Sequence, residues 1–167
     1  MADIKTLLLG FEPRDVAGTR ISGELPISNA LVNRLIAEAL KGRDLPVSAV
    51  LFEAQDADRM LVHLNLRGPL PSVKLALRID QQPQPDNPVL SMRWSLPGLG
   101  ALGAFATPAL AFFKALPPGI RVEGDRILVN IKDVVTQRGF GEYLNYLRSL
   151  QVHAVGGRLL ATFELGV

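Results

Sequence analysis

Two runs of strict alternation constrain this chain more than any other feature. From Met60 to Arg67, Met60, Val62, Leu64 and Leu66 take one side, while Leu61, His63, Asn65 and Arg67 take the other. After Gly68-Pro69-Leu70-Pro71 the pattern resumes, with Val73, Leu75, Leu77 and Ile79 set against Lys74, Ala76, Arg78 and Asp80. A strand turns successive side chains to opposite faces, so a period of two makes each run a strand with one apolar face. The short Gly/Pro turn between them predicts an antiparallel hairpin. A sheet built this way is covered on one side only.

Other segments extend the sheet. Val47 to Glu53 is β-like but mixed. Val89 to Ser95 alternates, with Leu90, Met92 and Trp94 against Ser91, Arg93 and Ser95. Ile120–Glu123 and Arg126–Ile131 flank Gly124-Asp125 as a second hairpin. Gln151–Val155 turns at Gly156-Gly157 into Arg158–Val167 as a third. The polar, proline-rich stretch from Gln81 to Pro88 is the one candidate linker, and it is too short to mark a domain boundary.

Helical periodicity is rarer. Leu31, Val32, Leu35, Ile36, Ala39 and Leu40 form one apolar stripe, with Ser28 as its N-cap and Lys41-Gly42 as its stop. Asp133 opens a second helical stretch, interrupted at Gly139 and Gly141 and continuing through Tyr143, Tyr146, Leu147 and Leu150. Between them, Trp94 to Phe113 carries no charge. Its prolines and glycines make it a poor membrane span. It reads as a buried helix kinked or broken near Pro108. The fold class expected is α+β: a curved antiparallel sheet against a long apolar helix, with one or two further helices. The whole chain, 1–167, is expected to form a single domain, with residues 1–20 as a peripheral N-terminal segment.

Composition excludes several functions. Hydrophobic residues are 48% and charged residues 20%, which argues against disorder. Eighteen basic side chains against sixteen acidic ones leave +2, and aromatic residues are only 6%, so no nucleic-acid partner is expected. The chain has no cysteine, which removes disulfides, thiolate zinc sites and cysteine nucleophiles. MADIKTLLLG is too short in its apolar run for a signal peptide, so the expected compartment is cytoplasmic as written, or periplasmic where a leader has been removed.

Catalytic signals are weak. Gly98-Leu99-Gly100-Ala101-Leu102-Gly103 matches the dinucleotide pattern G-x-G-x-x-G, with Glu123 about twenty residues on. Pro97 precedes it, Pro108 interrupts the helix that should hold a pyrophosphate, and the flanking hairpins are antiparallel. Close packing of small residues explains it better. His63 and His153 lack metal-ligand spacing. Asp56-Ala57-Asp58, Asp80 and Asp86 are read as turn residues. No nucleophile signature appears. The chain is therefore expected to be no enzyme, with no catalytic residue, metal or cofactor.

What remains is a surplus of apolar surface. It leads to the expectation of a sheet–helix groove for a lipid or other aliphatic small molecule, lined by Leu31, Leu35, Val62, Leu64, Leu75, Leu77, Trp94, Phe105, Phe112 and Phe113. Burying a dozen methylenes contributes on the order of 10 kcal/mol at about 0.8 each, offset in part by association costs. The alternative is a structural or interaction protein with a filled core, whose apolar 94–116 helix packs on a partner or a second copy.

Three segments carry a family resemblance. Ile27-Ser28-Asn29-Ala30-Leu31-Val32-Asn33-Arg34-Leu35 resembles the opening helix of the tubular lipid-binding (TULIP) superfamily, which includes BPI-like proteins, SMP domains and small bacterial relatives. Leu116-Pro117-Pro118-Gly119-Ile120-Arg121-Val122-Glu123-Gly124-Asp125-Arg126-Ile127-Leu128-Val129-Asn130 resembles the hairpin after that family's second long helix. Gly156 to Phe163 is similar to its closing strand. The resemblance implies a highly curved antiparallel sheet wrapped around a long helix and carriage of a lipid without catalysis; peripheral contact with a membrane is a further expected partnership. Bacterial members are usually exported or lipid-anchored, and this chain shows neither a leader nor a lipobox cysteine.

Overall fold

The computed structural model describes residues 18–69, 72–97, 116 and 118–166. In chain order the elements are β1 (Arg20–Ser28), α1 (Asn29–Leu40), β2 (Val47–Ala54), β3 (Arg59–Leu66), β4 (Val73–Gln81) and β5 (Val89–Ser95). Then follow β6 (Ile120–Glu123), β7 (Arg126–Asn130), α2 (Ile131–Gln137), a 3-10 helix (Gly141–Tyr146), β8 (Leu147–Val155) and β9 (Arg158–Gly166). One sheet has the order β1-β9-β8, and the other β2-β3-β4-β5-β7-β6. Every pairing in both is antiparallel.

The alternation becomes the core. Met60, Val62, Leu64 and Leu66 of β3 are buried, as are Val73, Leu75 and Leu77 of β4. Leu64 is fully enclosed at 0% exposure. Each such side chain contributes about 1.5–3 kcal/mol by leaving water. The six-stranded sheet curls into a half-barrel around these residues. Bulges between Val47 and Ala49 and between Ile79 and Gln81 help it bend.

Helix α1 starts where Ser28 Oγ accepts a hydrogen bond from Leu31 N at 3.2 Å. It ends at the cap Lys41, before Gly42 with φ +77°. Val32, Ile36 and Leu40, four residues apart, pack on the core. The same helix closes the edge of β2. Asn33 Oδ1 accepts from Phe52 N at 2.6 Å, and Asn33 Nδ2 donates to Phe52 O at 3.0 Å. Asn29 Oδ1, one turn earlier, accepts from Ala54 N at 2.9 Å.

The two sheets meet through side chains. Gln82 Nε2 donates to Val152 O and Gln82 Oε1 accepts from Val152 N, each at 2.8 Å. Two residues along β8, Ala154 N donates to Asp58 Oδ1 at 3.0 Å and Ala154 O accepts from Asp58 N at 3.2 Å. Two further on, Gly156 N donates to Asp56 Oδ1 at 2.7 Å.

Several expectations need correction. Strands take 53% of the described residues and helices 20%, so the chain is mostly β rather than α+β around a long helix. Among the described residues no helix exceeds the 12 residues of α1. The expected 94–116 helix begins on Trp94, which belongs to β5, and ends on Leu116, which is irregular. Residues 98–115 of that segment lie outside the described residues. Leu147 and Leu150 are not helical but open β8, because pairing of Leu147 with Leu165 prevails over their helix-like spacing from Tyr143 and Tyr146. β1 has no counterpart in the sequence reading, since Gly23 and Pro26 disguise it. It forms against β9, where the Phe163 ring roofs Gly23 so closely that a Cβ there would lie 2.9 Å from Cζ. Asp133 sits in the first turn of α2, and the cap is Asn130, whose Oδ1 accepts from Asp133 N at 3.3 Å.

Gln82→Ala removes a donor and an acceptor from the part-buried Val152 peptide. It should cost about 1–3 kcal/mol by the penalty for orphaned polar groups, read as a lower urea midpoint.

Candidate functional site

The C-terminal half of α1 and the start of β2 flank an open cleft of about 380 Å³. Its floor is Ile36, Leu40, Leu45, Val47 and Val50. Lys41, Arg43 and Arg67 stand around it. The local sequence explains this. The apolar stripe of α1 continues past Asn33 to Ile36 and Leu40, beyond the reach of the Asn29 and Asn33 amides that hold β2. The turn through Gly42 then carries three charged residues, Lys41, Arg43 and Asp44, past the opening. Leu45 and Val47 return the chain to the core at 5% and 6% exposure. Asp44 Oδ1 accepts from the Arg67 guanidinium at 3.1 Å, with both side chains exposed. The arrangement is an apolar floor under a cationic rim, suited to holding an aliphatic chain by burial and an anionic end by charge.

The sequence-predicted lining residues fall elsewhere. Leu31 and Leu35 are half-buried on α1, and neither lines this cleft. Val62, Leu64, Leu75 and Leu77 lie side by side in the core on β3 and β4, at 9% exposure or less. Trp94 packs at the margin of that core and donates its indole N–H to Gly124 O at 3.1 Å. Phe105, Phe112 and Phe113 lie outside the described residues, as does Gly98-Gly103. Sequence reasoning found the stripe holding Ile36 and Leu40, but not Leu45, Val47 or the basic rim. The available signal was three basic residues flanking apolar positions at a turn and at a strand end.

A second constellation joins residues far apart in sequence. His153 Nδ1 lies 3.1 Å from Asp58 Oδ1 and 3.3 Å from Oδ2. Asp58 and its neighbour Ala57 are both left-handed, at φ +57° and +58°. The Asp58 carboxylate also binds Ala154 N, so it is occupied in joining the sheets. Asp56-Ala57-Asp58 thus forms a turn whose acids cap β8. His63 Nε2 lies 3.7 Å from Glu53 Oε2 on the outer face. Among the described residues, no group of three or more His, Asp or Glu side chains is placed to hold a metal ion. No helix among them is long and apolar enough to cross a membrane.

No family model, curated protein or solved structure matches this chain. The geometry therefore carries the functional argument.

The Asp56-Ala57-Asp58 turn generates a paired test. A left-handed alanine costs roughly 1–2 kcal/mol, and glycine returns roughly 0.5–1 of that as chain entropy. Ala57→Gly should therefore raise stability by about 0.5–1 kcal/mol. Asp58→Gly keeps the backbone relaxed but orphans the Ala154 amide, and should lower stability by about 1–3 kcal/mol. Chemical denaturation of both variants reads the two effects apart.

Proposed function

We propose that this chain is a non-enzymatic binding protein whose α1–β2 cleft takes a single aliphatic chain with an anionic head. The observation that carries this reading is the apolar floor of Ile36, Leu40, Leu45, Val47 and Val50 beneath Lys41, Arg43 and Arg67. A volume of about 380 Å³ lies at the small end of ligand sites, which run from roughly 300 to 1,000 Å³. It fits one chain better than two. Each buried methylene adds about 0.8 kcal/mol, which makes tail length the main determinant of affinity. The rim supplies orientation rather than much energy, because exposed ion pairs contribute only about 0–1 kcal/mol. The resemblance to tubular lipid-binding proteins supports the same ligand class.

Native mass spectrometry of protein purified without detergent, then titrated with dodecanoate and dodecanol, tests this. One bound ligand is expected, with dodecanoate the tighter. Ala37 is exposed and borders the cleft, so Ala37→Trp should fill it without disturbing the core. Affinity should fall at least about tenfold, or 1.4 kcal/mol. Unchanged uptake by the folded variant refutes the site.

The interaction reading has its own support in β1. Ile21 and Leu25 are 43% and 54% exposed on a strand at the end of its sheet, paired only with β9 among the described residues. An exposed apolar edge of this kind invites strand addition. This reading predicts a dimer by light scattering that Leu25→Lys disperses; a monomer at micromolar concentration removes it.

A further inference from the structure

The register of the six-stranded sheet builds a row of arginines. Arg59 of β3 is opposite Arg78 of β4, Arg78 is opposite Arg93 of β5, and Arg93 is opposite Arg126 of β7. Residues directly opposite in antiparallel strands point to the same side, with Cβ atoms about 4.5–5.5 Å apart. The four positions therefore cross four adjacent strands on the face turned away from the core, over about 14 Å at the usual strand spacing.

Like charges in such a ladder repel, and among the described residues the ion pairs that answer them lie at one end. Asp80, at the β4 bulge, lies 3.6 Å from Arg93 and 3.4 Å from Arg126. Asp125 is 3.8 Å from Arg93. Glu123 stands opposite Arg126 but pairs with Arg121 at 3.1 Å. Among the described residues, neither Arg59 nor Arg78 has a carboxylate partner. Arg59 Nε donates instead to the Asp56 carbonyl oxygen at 3.3 Å. Lys74, opposite His63 on the same face, adds another cation.

We infer that this face docks on an anionic lipid surface. Guanidinium groups suit phosphate and carboxylate oxygens, which they meet with two parallel N–H donors. Aliphatic side chains are interleaved with the cations: Leu61 follows Arg59 by two residues, Leu128 follows Arg126 by two, and Leu51 opposite His63 is 53% exposed. That mixture fits the boundary between headgroups and acyl chains. The face carries no Phe, Tyr or Trp among its described residues, so it offers no stacking platform for single-stranded nucleic acid. It is also broader than the helix or two-stranded ribbon that a major groove admits.

Co-sedimentation with phosphatidylcholine vesicles, with and without phosphatidylserine, tests the inference. Binding should require phosphatidylserine and fade as salt rises. Each basic residue near such a surface is worth about fivefold in partitioning, so the double variant R59A/R78A should bind about thirtyfold more weakly. Its melting temperature should hold or rise, because the substitutions relieve repulsion. The inference does not depend on the α1–β2 cleft, and Ala37→Trp should bind vesicles as the parent does even when fatty-acid binding is lost. Equal vesicle binding by R59A/R78A and parent overturns it. So does a parent that ignores anionic vesicles at low salt while retaining duplex DNA, which would reassign the face.

Discussion

The fold depends on side chains that impersonate the peptide group. Among the described residues neither sheet closes on itself, so each has strand edges with outward N–H and C=O groups that must find partners. On β8 and the turn residue after it those groups recur at every second residue, and three partners follow the same step: Gln82 on Val152, Asp58 on Ala154 and Asp56 on Gly156. Gln82 is an amide meeting an amide, donating and accepting at 2.8 Å as a neighbouring strand would. The β2 edge is treated alike, with Asn33 on Phe52 and Asn29 on Ala54. The spacing matches because residues four apart on a helix lie one above the other, while alternate strand residues present the same edge. These contacts end both ladders and fasten the two sheets and α1 into one arrangement.

The same economy places strain where it can be held. Two successive left-handed residues, Ala57 and Asp58, are unfavourable in isolation. They persist because the turn delivers Asp58 to Ala154 and His153 together. The β4 bulge works in a parallel way. It brings Asp80 to a point between Arg93 and Arg126, the one carboxylate among the described residues that touches two members of the row. Without it, Asp125 at 3.8 Å from Arg93 would be the one carboxylate within ion-pair distance of the row among the described residues. With it, half the row is neutralised and the Arg59–Arg78 half keeps its charge.

Much of the strand pattern was legible in the sequence, for a physical reason. One-sided strands must alternate, and β3, β4, β5 and the three hairpin turns do so visibly. The Ser28 cap and the Gly42 stop of α1 were equally plain. What failed was non-local. β1 contains Gly23 and Pro26, and its strand character comes from β9 and Phe163. Leu147 and Leu150 mimic a helical stripe, and only pairing with β9 makes them strand. The expectation of a long apolar helix rested on the uncharged stretch and on the family resemblance, and absence of charge says nothing of period. The candidate sites suffered the same limit. Arg78 and Arg93 were visible on polar faces, but only register places Arg59 and Arg126 in line with them, and register is not written in any one strand.

Net charge is blind to such a row for a related reason. A balance of +2 from eighteen basic and sixteen acidic side chains describes the sum, not the distribution. Recognition by charge responds to local density within about 8–10 Å at physiological salt. Arg59 begins β3 and Arg67 follows its end, about 27 Å apart at the strand's rise per residue. They alternate onto the same face, yet at that distance they do not feel one another. The arginine row and the cleft rim are therefore separate electrostatic sites on one strand. An anionic group within reach of Arg59 and Arg78 is therefore screened from the cleft rim, where Asp44 already pairs with Arg67.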